Sequence, residues 1–180
     1  GTSVGKPERM HQIVSLVTKE AEPVIVVLSA LSGTTNALVS IGDHIAKGDR
    51  NGAKQAIDTL EAHYQSFIAD LLKKPDTLAK AKGILAEHFE FLNIILKISF
   101  SEALSKDILA QGELLSTKLF STYLEEQGVD HALLPALEFM TIDSYDEPQI
   151  GSIKIRLGQL LQQHKDKKFF VTQGYICRNA

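Results

Sequence analysis

The 180 residues include a single cysteine, Cys177, and no tryptophan. One thiol excludes an internal disulfide, and neither CxxC nor a Cys/His ligand spacing occurs, which fits a reducing cytosol and no structural metal. Cys177 itself reads as a small, partly buried side chain. Apolar runs are short: the longest reach about five to six residues, against the ~20 a membrane-spanning helix needs, and no segment reads as a signal peptide. Neither sign of charge is in excess. With 19 Lys and Arg against 22 Asp and Glu, the net charge of −3 gives no footing for a nucleic-acid or membrane partner. The six histidines are far apart and lack HExxH spacing, and no GxxxxGK[ST] or GxGxxG motif occurs, which argues against zinc, P-loop and dinucleotide enzymes. Asp143, Asp146 and Glu147 lack the order of a calcium loop and read as a solvated acidic stretch. Internal repeats and low-complexity segments are absent too. The expectation is a soluble, cytoplasmic protein.

What is present is a chain long enough to bury one core, hence one domain or one lobe of a larger one. Pro7 suits the first turn of a helix, and Met10, Ile13, Val14 and Val17 recur at helical spacing, so 7–19 is read as an amphipathic helix. Pro23 then opens Val24-Ile25-Val26-Val27-Leu28, a β-branched run that suits a parallel strand covered on both faces. A helix follows from Thr34 or Thr35 to Gly48. From about 51 to 127 the pattern is almost entirely helical, an antiparallel excursion whose first helix carries Ala53, Ile57, Leu60, Tyr64, Phe67, Ile68 and Leu71. The chain returns to a sheet at Ala132-Leu133-Leu134, crosses an irregular stretch at 141–151, forms a helix around Ile153–Leu161, and ends in a strand at Lys168–Thr172. Strands separated by helices predict an α/β fold: a three-layer αβα sandwich with a mainly parallel sheet and a helical excursion.

Four segments could carry chemistry. Gly1-Thr2-Ser3-Val4-Gly5-Lys6-Pro7 feeds a helix N-terminus and would suit a phosphate; equally, it reads as a disordered tail. Ser29, Ser32, Gly33, Thr34 and Thr35 lie where a buried strand opens, the place at which open α/β sheets bind ligands, and could hold a carboxylate or phosphate. The plainer alternative is that Thr34 or Thr35 caps the next helix. Glu113, after Gly112 in an apolar helix, could hold a substrate ammonium or be a solvated surface glutamate. Thr172-Gln173-Gly174-Tyr175 leaves the last strand at the same sheet edge, where Tyr175 either walls a pocket or packs in the core.

In this order, Gly1-Thr2-Ser3-Val4, Val26-Val27-Leu28-Ser29-Ala30-Leu31-Ser32-Gly33-Thr34-Thr35-Asn36, Gly112-Glu113-Leu114-Leu115-Ser116-Thr117 and Val171-Thr172-Gln173-Gly174-Tyr175 resemble the amino-terminal lobe of aspartate kinase, of the amino-acid kinase family. The resemblance implies that residues 1–180 are the amino-acid-binding lobe, with the nucleotide-binding half and regulatory domains absent. It implies ATP-dependent phosphorylation of the β-carboxylate of L-aspartate, the first step of lysine, threonine and methionine synthesis. The nucleotide would carry Mg2+, and the full-length protein would be a homo-oligomer. It places Ser29, Thr35, Glu113 and Tyr175 around aspartate and Gly1, Thr2 and Ser3 along the phosphate path. The family motif begins Lys-Phe-Gly-Gly-Thr-Ser-Val, and its lysine, phenylalanine and first glycine are absent here; the family's catalytic aspartate also lies outside the chain. The segment alone is therefore expected to be inactive. Alternatives are a family member acting on glutamate, acetylglutamate or uridylate, and an amino-acid-binding or assembly module without catalysis.

Overall fold

Prolines and glycines punctuate the chain. The computed structural model describes residues 6–19 and 22–179, so Gly1, Thr2 and Ser3 lie outside the described residues. Pro7 opens helix α1 (Pro7–Val17), which buries Met10 and Val14. Strand β1 (Val24–Leu28) follows Pro23. Helix α2 (Thr34–Ala46) ends at Gly48, whose φ of 72° is accessible to glycine at little cost.

Helices α3 (Arg50–Leu71), α4 (Pro75–Ile95) and α5 (Glu102–Glu126) form the expected excursion. Asp49 caps α3 by accepting from Gly52 N at 2.9 Å, and Ser101 caps α5 by accepting from Leu104 N at 3.1 Å. Their interface is apolar, with Tyr64, Phe89, Phe120 and Tyr123 essentially inaccessible to water. Full burial of a large apolar side chain stabilises by about 1.5–3 kcal/mol. One polar clamp joins the far end of the bundle. The Glu126 carboxylate accepts from Lys73 N and Lys74 N at 3.0 Å each and from the Thr77 hydroxyl. This ties the α3–α4 turn to the last turn of α5. Burial opposes ionisation there, but the bonds from Thr77, Lys74 and Lys73 and the Lys74 charge outweigh it and hold the carboxyl below its ordinary pKa. Farther along the bundle, burial lowers the pKa of His88, which sits between Gln111 Oε1 at 2.6 Å and Lys118 Nζ at 2.9 Å.

After α5, strand β2 (Ala132–Leu134), the short helix α6 (Ala136–Phe139), strand β3 (Thr141–Ile142), helix α7 (Ile150–Gln163), strand β4 (Phe169–Gln173) and strand β5 (Arg178–Asn179) complete the element order. The main sheet has the order β1-β4-β2 and is parallel throughout, with Val24 opposite Phe169 and Ala132 opposite Phe170. The central strand β4 is buried along all five residues. Phe169 and Val171 face the helical bundle, whose α5 lies against all three strands. Phe170 faces the opposite side, where Phe139 of α6 and Leu160 of α7 cover it with Leu134 of β2. Helices on both faces of a parallel sheet make the three-layer sandwich.

Three expectations need correction. Strand β1 is not covered on both faces: Ile25 is 40% and Val27 61% exposed, because α6 and α7 cover β2 and β4 but stop short of this edge strand. Nor is the stretch 141–151 wholly irregular. β3 pairs in parallel with β5, and Asp143 accepts from Tyr145 N and Glu147 N to shape the loop between β3 and α7. Finally, Cys177 is exposed, because its neighbour Ile176 turns into the core. Among the described residues no helix is long and apolar enough to cross a membrane.

Candidate functional site

All three strands of the parallel sheet end on one side, at Leu28, Leu134 and Gln173. The loops leaving them crowd against the middle of α5, and Gly112 allows that approach. A Cβ on residue 112 would lie 2.7 Å from Ala30 Cβ and 3.3 Å from both Leu38 Cδ1 and Thr34 Cγ2. Only glycine lets α5 come this near the loop between β1 and α2. The next residue, Glu113, is 7% exposed and accepts a hydrogen bond from Ala30 N at 3.3 Å. One turn on, Ser116 Oγ donates to Ser29 O at 2.7 Å. Two bonds from a single helix thus hold residues 29 and 30.

Polar bonds continue toward β4. Thr117 Oγ1 donates to Glu113 O at 2.8 Å and accepts from Gln173 Nε2 at 2.9 Å, while Gln173 Oε1 accepts from Ala136 N at 2.8 Å. Loops from all three strands are therefore tied to one helix. Gly174 N donates to Leu28 O at 2.8 Å and carries the ladder one step past the strand ends, so Tyr175 leaves the sheet beside Ser29. Tyr175 has a φ of 62° and is 89% exposed.

On the other flank, Gly33 with a φ of 85° takes the left-handed turn that starts α2. Thr34 and Thr35 then lie inside the first turn, and neither side chain caps it. The capping alternative is thereby set aside. Thr35 and Ser29 are exposed, whereas Thr34 is buried and its Oγ1 meets the Tyr64 hydroxyl at 3.0 Å. Burial raises the Tyr64 pKa, the Thr34 bond opposes the rise, and the Glu113 charge adds to it. The phenol stays protonated.

The sequence-predicted residues separate by environment. Ser29 and Tyr175 lie in the open on the loops after β1 and β4 and Thr35 in the open on the first turn of α2, while Glu113 lies in α5 against Ala30, buried rather than solvated. Gly1, Thr2 and Ser3 cannot be placed with them, being outside the described residues. Sequence reasoning did not single out Tyr64, whose ring sits on the apolar face of α3 like any core aromatic; no periodicity marks its hydroxyl. Gln173 carried one usable signal, a polar residue at the end of a strand buried on both faces. A cleft of about 590 Å3 between α2 and α3, lined by Ser32, Gly33, His44, Gln55, Leu60 and His63 among others, opens next to the β1–α2 loop but includes none of the four expected binding residues.

No protein-family model matches the chain. Curated relatives do. The chain is 30% identical over 184 residues to bifunctional aspartokinase/homoserine dehydrogenase 2 of Escherichia coli (strain K12), covering 99% of this chain and 22% of that protein. It is 29% identical over 179 residues to lysine-sensitive aspartokinase 3 of the same organism, covering 98% of this chain and 39% of that one. Among solved structures, E. coli aspartokinase III in complex with aspartate and ADP superposes with a TM-score of 0.80 at 25% identity, over 99% of this chain and 40% of the other. The chain spans well under half the length of each of these proteins. Over nearly all of its own length, it is a homologue of aspartokinases, corresponding to a part of those enzymes.

Proposed function

We propose that these residues form the amino-terminal, acceptor-holding lobe of an aspartokinase, which phosphorylates the β-carboxylate of L-aspartate with ATP. The supporting observation is the junction of Glu113 with the β1–α2 loop, where a buried carboxylate bonded to Ala30 N lies beneath exposed hydroxyls at a parallel sheet's carboxyl edge. An α-amino acid carries an ammonium and a carboxylate, and this edge offers a partner for each. Glu113 takes the ammonium, Ser29 and Thr35 hydrogen-bond a carboxylate, and Tyr175 walls the open side. A related solved structure holds aspartate and ADP.

In the reaction, a β-carboxylate oxygen attacks the γ-phosphorus of ATP, the bond from that phosphorus to the bridging oxygen breaks, and ADP leaves with its electron pair. The acceptor is already an anion, so the site needs no general base. Its task is alignment, which is where most of the gain in phosphoryl transfer arises. Among the described residues no group of three metal-ligating side chains converges. Mg2+ would enter with the nucleotide and would neutralise phosphate charge, and Gly1, Thr2 and Ser3 would line the phosphate path.

Calorimetric titration with L-aspartate, L-glutamate and a Glu113→Ala variant tests this reading. Saturable binding of aspartate alone, lost in the variant, is the expected result. Equal affinity of the variant for aspartate would remove Glu113 from the site, and a preference for glutamate would change the acceptor. The 180 residues by themselves are expected to bind without turnover, and hydroxamate formation from ATP and aspartate by this segment would contradict that.

A further inference from the structure

Besides Glu113 and Ser116 of α5, the helical excursion brings a polar atom of α3 to the start of α2, the hydroxyl of Tyr64. The side chain is 0% exposed, and its ring packs edge-on against Phe89 of α4 at a centroid distance of 5.9 Å, so the hydroxyl is aimed by two helices. It meets Thr34 Oγ1 at 3.0 Å. Thr34 is 1% exposed, and its methyl lies 3.3 Å from where a Cβ at Gly112 would stand. Thr34 is thus held between Tyr64 on α3 and the glycine that precedes Glu113 on α5. It stands directly between Gly33, which makes the turn, and Thr35, whose side chain is open to the site.

We propose that Tyr64 is a positioning residue of the amino-acid site: its hydroxyl fixes Thr34, and through Thr34 the turn that presents Ser29 and Thr35 over Glu113. This rests on the acceptor-binding role proposed above. The phenol touches no ligand. Its effect passes through a single buried hydrogen bond, and removing one partner of such a bond strands the other. Tyr64→Phe keeps the ring and its packing on Phe89 while leaving the Thr34 hydroxyl unpartnered. Thr34→Val strands the phenol instead, and the double variant strands neither group.

The test is a double-mutant cycle on the purified protein with two readouts, the Kd for L-aspartate and amide hydrogen exchange without ligand. Tyr64→Phe is expected to weaken aspartate binding about five- to tenfold. Thr34→Val should weaken it similarly, and the double variant by no more than either single one. Exchange should quicken at Ala30 and 33–37 while α7 stays unchanged. Phe67→Leu, a core change on the same helix, should lower the melting temperature without moving the Kd of the folded protein. Additive losses in the cycle, or a Tyr64→Phe variant with wild-type Kd and wild-type exchange at Ala30, would overturn the proposal. If the wild-type protein bound no aspartate, the functional reading would fall, and the exchange pattern would still decide whether Tyr64 holds the turn.

Discussion

Gly112→Ala separates stability from site geometry more cleanly than any other substitution in this chain. The added methyl would start 2.7 Å from Ala30 Cβ, and ordinary carbon contacts lie near 3.5–4.0 Å, so helix and loop must part by roughly 1 Å. Overpacking of this kind costs about 1–3 kcal/mol. Alanine in a helix interior returns about 0.8–1 kcal/mol relative to glycine. The second offsets part of the first, leaving a net loss of stability of about 0–2 kcal/mol. The same displacement would stretch the 3.3 Å bond from Ala30 N to Glu113 and disturb the 2.7 Å bond from Ser116 to Ser29 O. Each such bond contributes about 0.5–1.5 kcal/mol, so aspartate affinity should fall by roughly two- to tenfold. Gly83→Ala is the control. It lies within α4 with nothing within 4 Å of the added Cβ, and should stabilise by about 0.8–1 kcal/mol with no change at the site. Urea denaturation with aspartate titration reads both quantities. A Gly112→Ala protein stabilised like Gly83→Ala, with wild-type affinity for aspartate, would refute the close approach of α5 to the loop.

Two further substitutions probe the scaffold. Glu126→Gln should cost about 2 kcal/mol at neutral pH, because it removes the charge from bonds to Lys73 N, Lys74 N and Thr77. The folded carboxyl titrates below its ordinary value of 4.5, so this stabilisation is complete above that pH and is lost as the pH falls through the folded pKa. Denaturation curves of the two proteins should converge in acid, and a gap that persisted there would show the charge to be irrelevant. Ser101→Ala should lower stability by about 1 kcal/mol through loss of the cap on Leu104 N, measured by thermal melting, with aspartate affinity unchanged.

Periodicity made the helices readable. The apolar stripe from Ala53 to Leu71 and the breaks at Pro75, Gly48 and Gly128 report local energetics, and local energetics decided those elements. The run Val24–Leu28 gave a strand but misled about its cover, because five apolar residues look the same whether a helix lies over them or not. Pairing of β3 with β5 joins two residues to two others 37 positions on, too few to leave a pattern. At the site, the residue types and the sheet edge were legible in Ser29, Thr35, Glu113 and Tyr175. What could not be read was burial. Alternation fails along α5, where Gln111 through Thr117 are almost all enclosed, because that helix is surrounded rather than half-exposed. Glu113 therefore resembled a surface glutamate, and Tyr64 a core ring.

The order of the strands also bears on how the molecule assembles. Helices α2 to α5 each pack on the next in sequence, α2 on α3, α3 on α4 and α4 on α5, so this half can collapse through short-range contacts. The sheet cannot. β1 finds its only partner among the described residues in β4, whose Phe169 lies opposite Val24 across the whole intervening chain. Until β4 is made and docked, Val24–Leu28 remains an unpaired β-branched edge, the kind of segment that recruits neighbouring chains. During synthesis the helices would wait for the last strand, and the bond between Ala30 and Glu113, which spans 83 residues, could form before the sheet that frames it.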